Sequence, residues 1–186
     1  MGFLQGDALS RAIRIRRKRG ERALLAKQMV LQTLGLMLLL SIVFSQFFGL
    51  TIAKGNEMYP AIREGDVLLY ERRAGHLNGE AVLYEHAGEQ HLGRIEAVAG
   101  AVIDETGDHQ ITIDGNYQPV QERAGIFYRT YVKEGGALKL PLVIDRGAYF
   151  ILCDNRERAS DSRAFGPVPE ADVRGRIIMV LRRRMI

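Results

Sequence analysis

Gly55 to Asp66, GNEMYPAIREGD, is the stretch on which the fold turns. It starts two residues after a long apolar run ends at Ala53, and it holds a Met-x-Pro step, Met58 to Pro60, followed by a Gly-Asp turn at Gly65–Asp66. Proline fixes φ and removes a backbone donor, so the segment reads as irregular, turned chain rather than helix or strand.

Upstream, Gln28 to Ala53 is a run of 26 residues without a charge, bounded by Lys27 and Lys54. About 20 apolar residues suffice to cross a bilayer as a helix. The run predicts a transmembrane helix over 28–53, and its length and leucine content favour that over a buried core helix. It also exceeds the roughly 7–15 apolar residues of a cleaved signal peptide, and no small-residue cleavage site follows it. Phe44, Phe47 and Phe48 fall near its outer end, where rings favour the interface. Residues 1–27 hold eight Lys or Arg against Asp7 and Glu21, a net charge of +6, in a chain of +4 overall. This reads as a short basic cytoplasmic tail, helical in its second half at best. The basic side stays inside, which puts residues 54–186 outside the cell membrane as an extracytoplasmic domain. The site built by Gly55–Asp66 would then lie close to the outer membrane surface. The sharper reading of RIRRKRG, Arg14 to Gly20, is a nucleic-acid or anionic-lipid patch. A topology determinant touching lipid head groups accounts for it, and no nucleic acid is expected. A lone cysteine, Cys153, leaves no internal disulfide and no multi-cysteine metal site. Neither metal nor cofactor is expected.

After Asp66 the chain reads as short strands between turns: 67–72, 80–84, 91–97, 110–113, 117–120, 125–132, 148–153 and 173–181. Asp114-Gly115 is a strong hairpin signal, because both residues tolerate the positive φ a tight turn needs. The fold class is mainly β behind an N-terminal transmembrane helix, a coiled sheet or partly closed barrel.

Membrane segment, Met-x-Pro and Gly-Asp, in that order, resemble the nucleophile box of the type I signal peptidases. There the residue before the methionine is the attacking serine; here it is Glu57. Three further stretches extend the resemblance. HLGRIEAVAGAVI, His91 to Ile103, is similar to the family's lysine box, with Arg94, Ile95 and Gly100 in place but Gly93 at the lysine position. Ala99 and Ala101 stand where Pro and Asp usually flank that glycine. ITIDGNYQPV, Ile111 to Val120, is similar to the hairpin that follows. CDNRERASDSRAFGPVP, Cys153 to Pro169, is similar to the last box, with Asp154, Asn155, Arg156, Asp161, Ser162 and Arg163 in register and Cys153 in place of a glycine.

The family's reaction, by this resemblance, is acyl transfer through a serine–lysine dyad. The lysine must be neutral, so it sits in an apolar pocket that depresses its pKa. A hydroxyl two residues before the serine helps hold the oxyanion, and another in the last box orients the lysine. This chain has Glu57 for the nucleophile, Gly93 for the base, Gly55 for the oxyanion hydroxyl and Ala159 for the orienting hydroxyl. No catalytic residue is intact, and the chain is expected to be a pseudoenzyme. Two residues are base candidates: Lys54, three residues from Glu57 but at the membrane edge where it is a poor base, and His91, two residues before Gly93 on the same strand face, which has no serine to activate. Met58 and Pro60 shape the turn and fill a pocket. Glu57, Met58, Pro60, His91, Arg94 and Ile95 are expected to line a substrate groove, and the six residues of the last box to form a structural ion-pair and hydrogen-bond cluster. Cys153 is expected as a small buried side chain.

The resemblance implies a membrane-tethered module that binds an extended peptide along strand edges without cutting it. The expected partner is a segment of a secreted or pilin precursor, as for the signal-peptidase-like proteins of Gram-positive pilus loci, together with membrane lipid. The alternative is an active type I signal peptidase working through other residues, and a third reading is a structural anchor with a vestigial domain.

Overall fold

The computed structural model describes residues 3–72, 75–117, 121–123, 126–128, 130–157 and 160–182, with side chains described from Leu24 onward except within 121–129. Two compact units divide the chain near Phe47.

The first unit is one helix, α1 (Phe3–Phe47), in which Leu24–Phe47 is long and apolar enough to span a bilayer. Two boundaries differ from those the sequence predicts. The helix continues back to Phe3, through the basic tail. It also stops at Phe47, whereas the apolar run predicts membrane helix to residue 53. Phe48–Ile52 is instead strand β1, so Phe48 is no helix-end anchor. The reason is tertiary: all five residues pair antiparallel with β2 (Val67–Glu71), from Phe48 opposite Glu71 to Ile52 opposite Val67. Gly49 weakens the helix there, and the β-branched Thr51 and Ile52 suit a pleated surface.

The second unit is antiparallel. Its further strands are β3 (Ala81–His86), β4 (Glu89–Ala97), β5 (Val102–Glu105), β6 (Ile111–Ile113), β7 (Asn116–Tyr117), β8 (Gln121–Arg123), β9 (Ile126–Tyr128), β10 (Leu142–Val143), β11 (Ala148–Leu152), β12 (Val168–Pro169) and β13 (Val173–Leu181). A four-residue helix, α2 (Ser162–Phe165), precedes β12. Seven strands form a sheet in the order β1-β2-β13-β3-β4-β11-β12; β10-β5-β6-β7 form a second, and β8-β9 a third. The predicted mainly β class holds, and among the described residues the large sheet runs from β1 at one edge to β12 at the other. The predicted hairpin turn forms, with φ of 52° at Asp114 and 74° at Gly115. The predicted strand over 125–132 is shorter: β9 covers 126–128, and Tyr131 only bridges Gln110. Residues 118–120 of the predicted second hairpin strand lie outside the described residues.

Cross-strand register decides which side chains meet. Leu83 opposite Leu92 faces one side of the large sheet, and with Met58, Leu68, Tyr70 and Cys153 builds one core. Tyr84 opposite His91, and Val82 opposite Gly93, face the other side, where Ile95, Ile151 and Val168 complete a second core. A third core, including Ala97, Ile103, Ile111 and Phe150, ties in the four-stranded sheet. One apolar face is left open. Leu50, Ile52, Met179 and Leu181 project from β1 and β13 with about half or more of their surface exposed. They flank Leu69 and Val67 directly, so they share one face.

Candidate functional site

The Gly55–Asp66 stretch is fixed by its own turns and by the last box. Ile62 N–H donates to the Met58 carbonyl (2.9 Å), and Arg63 N–H donates to Asp66 Oδ2 (3.0 Å). Met58 is 1% exposed, and its Sδ accepts from Asp154 N–H at 3.3 Å. Asn155 N–H donates to the Glu57 carbonyl (2.8 Å), and the Asn155 amide to the Asn56 carbonyl (3.2 Å). Glu57 therefore has a pinned backbone and a free side chain. Its carboxylate, 33% exposed, stands 3.9 Å from Nδ1 of His91, which is 17% exposed.

At Gly93 there is no room for a base. A Cβ built there would lie 2.4 Å from Ile151 Cγ2 and 3.2 Å from Tyr84 Cε1. Tyr84 is wholly buried, stacks on His91 with ring centroids 5.6 Å apart, and its hydroxyl has no hydrogen-bond partner. Gly55, at φ 109°, holds a backbone conformation that a serine or threonine would adopt only under strain. Ala159 lies outside the described residues.

The last box does form a buried network. Arg163 donates twice to Asp161, from Nε (2.8 Å) and from a terminal nitrogen (2.9 Å). Asp161 also caps α2 and accepts from Cys153 N–H at 3.2 Å. Ser162 Oγ accepts from Ile151 N–H at 2.9 Å, and Arg163 reaches the Arg156 carbonyl at 2.6 Å. Arg156 pairs with Glu96 at 2.7 Å. Arg94 makes a two-point pair with Asp154, both contacts 3.0 Å, and a further bond to the Gly79 carbonyl. The Asp154 bond holds the Arg94 guanidinium above its usual pKa.

This corrects the predicted groove. Ile95 is 0% exposed in the core, so it lines no open surface. Arg94 is committed to Asp154, and Met58 lies beneath the site; Pro60 is half-buried in the turn. Of the six predicted groove residues, Glu57 and His91 remain beside the cleft. A cavity of about 20 Å³, room for roughly one water, is lined by Thr51, Ile52, Lys54, Gly55, Glu57, Leu83, Gln90 and Leu92. Thr51, Leu83, Gln90 and Leu92, which the sequence did not single out, complete the wall. Strict pairing register would have pointed to Leu83 and Leu92, but register needs the structure.

Two stretches of backbone edge flank this cavity. Among the described residues β1 pairs only with β2, and β4 pairs with β11 only from Arg94 to Ala97. The Leu92 carbonyl accepts from Cys153 Sγ at 3.3 Å, and among the described residues Glu89–His91 has no strand partner on that side. Chemically the cavity wall holds the Glu57 carboxylate and the Lys54 amine, and the His91 imidazole stands beside Glu57. Burial, and then Asp161 and Glu57, push the Cys153 thiol well above its usual range, and burial does the same to the Tyr84 phenol. Among the described residues no serine hydroxyl hydrogen-bonds a lysine or histidine nitrogen; Ser162 is spent on Ile151 and Ser45 on Ile42. Cys153 is 0% exposed, and its raised pKa leaves no thiolate near neutral pH. Iodoacetamide at pH 8 is therefore expected to label the folded protein negligibly and the denatured protein fully, as read by intact mass. Labelling at equal rates in both states would refute the placement of this side chain.

These linked boxes on an antiparallel sheet are those of a signal peptidase framework. The sequence pattern described as Signal peptidase, peptidase S26, matches residues 26–182, and the chain belongs to that family. Signal peptidase IB of Staphylococcus aureus is 28% identical over 139 residues, covering 67% of this chain and 72% of that protein. A probable signal peptidase I-1 of Synechocystis sp. is 25% identical over 135 residues, covering 64% of each. A signal peptidase I crystal structure from Enterococcus faecalis aligns with a TM-score of 0.43 at 23% identity, covering 57% of this chain and 98% of that one.

Proposed function

We propose that this signal peptidase I-like protein is catalytically inactive and holds an extended segment of a secreted or pilin precursor, as an assembly or chaperone-like factor. In this reading its N-terminus is cytoplasmic and residues 48–186 are extracytoplasmic. The observation that carries it is the filled base position: Ile151 and Tyr84 occupy the space beside Gly93, while Glu57 stands at the nucleophile position. Acyl transfer needs a nucleophile and a neutral base within reach of each other, and among the described residues no serine hydroxyl hydrogen-bonds a lysine or histidine nitrogen. Peptide capture needs only free strand edges and a small pocket between them, and the outer edges of β1 and of Glu89–His91 support that reading. The exposed Leu50, Ile52, Met179 and Leu181, next to the cation Arg182, suit contact with lipid, and supported membrane association follows from the family and the apolar helix. The Arg183–Arg184 remainder of that basic run lies outside the described residues.

The test uses the full chain in proteoliposomes with fluorescent precursor peptides. Saturable binding without cleavage is expected, weakened at least about ten-fold by Glu57→Trp, which fills the small cavity. Turnover by the unmodified protein, abolished by one replacement, would instead make it an active peptidase. Absence of any binding would leave a structural anchor.

A further inference from the structure

A second concavity lies at the other end of β4, roughly 23 Å along the strand from His91 at about 3.3 Å per residue. Its volume is about 640 Å³, within the range of ligand sites. Four separate segments meet there: His76 to Asn78 before β3, Val98 and Ala99 after β4, Arg146 to Tyr149 at the start of β11, and Glu170 after β12.

The two charges on this cavity are not paired with each other. Arg146 and Glu170 both line it, and neither makes an ion pair with the other or with any other group among the described residues. The Tyr149 hydroxyl donates to Glu170, which still leaves that carboxylate spare acceptor sites. Burial and Glu170 push the Tyr149 phenol upward, so it remains a neutral donor. His76 packs edge-on against the Tyr149 ring at 5.6 Å, and its Nδ1 is buried with no partner. Burial lowers its pKa, although Glu80 and Glu170 act the other way, so the ring is neutral near pH 7. Leu77, Val98, Ala99 and Ala148 supply apolar wall between the polar groups.

We infer that this cavity binds a small apolar zwitterion, an α-amino acid or a short peptide with both termini free. The ligand's carboxylate sits on the Arg146 guanidinium, its ammonium on Glu170, and its side chain against Val98, Ala99 and Tyr149. A planar guanidinium matches a carboxylate at two points, and the exposed Glu170 carboxylate presents acceptor sites to an ammonium. An apolar monoanion would satisfy only one of the two charges. The site is separate from the Glu57 cleft, and the inference does not depend on what that cleft does.

The experiment is calorimetric titration of the full chain in nanodiscs with four probes: L-phenylalanine, the dipeptide Phe-Phe, N-acetyl-Phe-Phe and Phe-Phe amide. At least one of the first two is expected to bind. Tighter binding of the free amino acid or of the dipeptide tells which source the cavity suits. Acetylation should weaken dipeptide binding about ten-fold in the unmodified protein and not further in Glu170→Gln. Amidation should do the same relative to Arg146→Gln. Ala99→Trp, which fills the cavity from an exposed position, should abolish binding, and Glu57→Gln should leave it unchanged. Equal unfolding transitions for all variants exclude misfolding as the cause. No binding of either free-ended probe at millimolar concentration overturns the inference. So does equal affinity for capped and free probes, or loss of binding in Glu57→Gln.

Discussion

A chain carrying Glu57→Ser and Gly93→Lys is expected to cut a signal-peptide substrate measurably only when Ile151→Ala is added. The two replacements restore the missing alcohol and amine, but the Cβ of a lysine at 93 would lie 2.4 Å from Ile151 Cγ2. A β-branched side chain on a buried strand has few other rotamers, so the lysine would be displaced or the strand strained. Removing Cγ2 opens that space. The surrounding Tyr84, Val82 and Ile95 then give the amine the apolar setting that depresses its pKa. Mass-spectrometric turnover should rise at least about ten-fold from the double to the triple variant. Full activity is not expected, because position 55 still lacks a hydroxyl, and loss of one oxyanion donor costs about 10²–10³ in rate. Turnover by the double variant equal to that of the triple would show that Ile151 does not block the base position. Turnover by the unmodified chain would end the inactive reading.

The largest loss of stability is expected from Asp161→Ala. Asp161 is 0% exposed and Arg163 is 3% exposed, and two charge-assisted bonds join them. Removing the carboxylate leaves a guanidinium buried without its counter-charge, which costs about 3–5 kcal/mol. The same change removes the cap of α2 and the acceptor of Cys153 N–H, so the loss should fall at the upper end. The chain has no tryptophan, so tyrosine emission or circular dichroism in a denaturant titration is the measurement. Replacing both partners, Asp161→Leu with Arg163→Met, should recover part of the loss, because no unpaired charge then remains. An Asp161→Ala variant within about 1 kcal/mol of the parent would show that the pair is not holding the fold together.

Sequence alone determined the order of parts: an uncharged apolar run, a Met-x-Pro box, short strands, and an Asp-Asn-Arg to Asp-Ser-Arg box. By resemblance it also put Glu57 and Gly93 at the family's nucleophile and base positions, the assignment on which the proposed inactivity rests. Composition could not place the end of the membrane helix. Phe48–Ile52 is as apolar as the helix before it, and only pairing with β2 makes it a strand. Nor could alternation along His91–Ala97 separate groove from core. Tertiary structure buried Ile95, committed Arg94 to Asp154 and laid Tyr84 and Ile151 over Gly93. Each of those outcomes rests on contacts between residues far apart in the chain, whose register is set by hydrogen-bonded strands and by the volume that neighbouring side chains must fill.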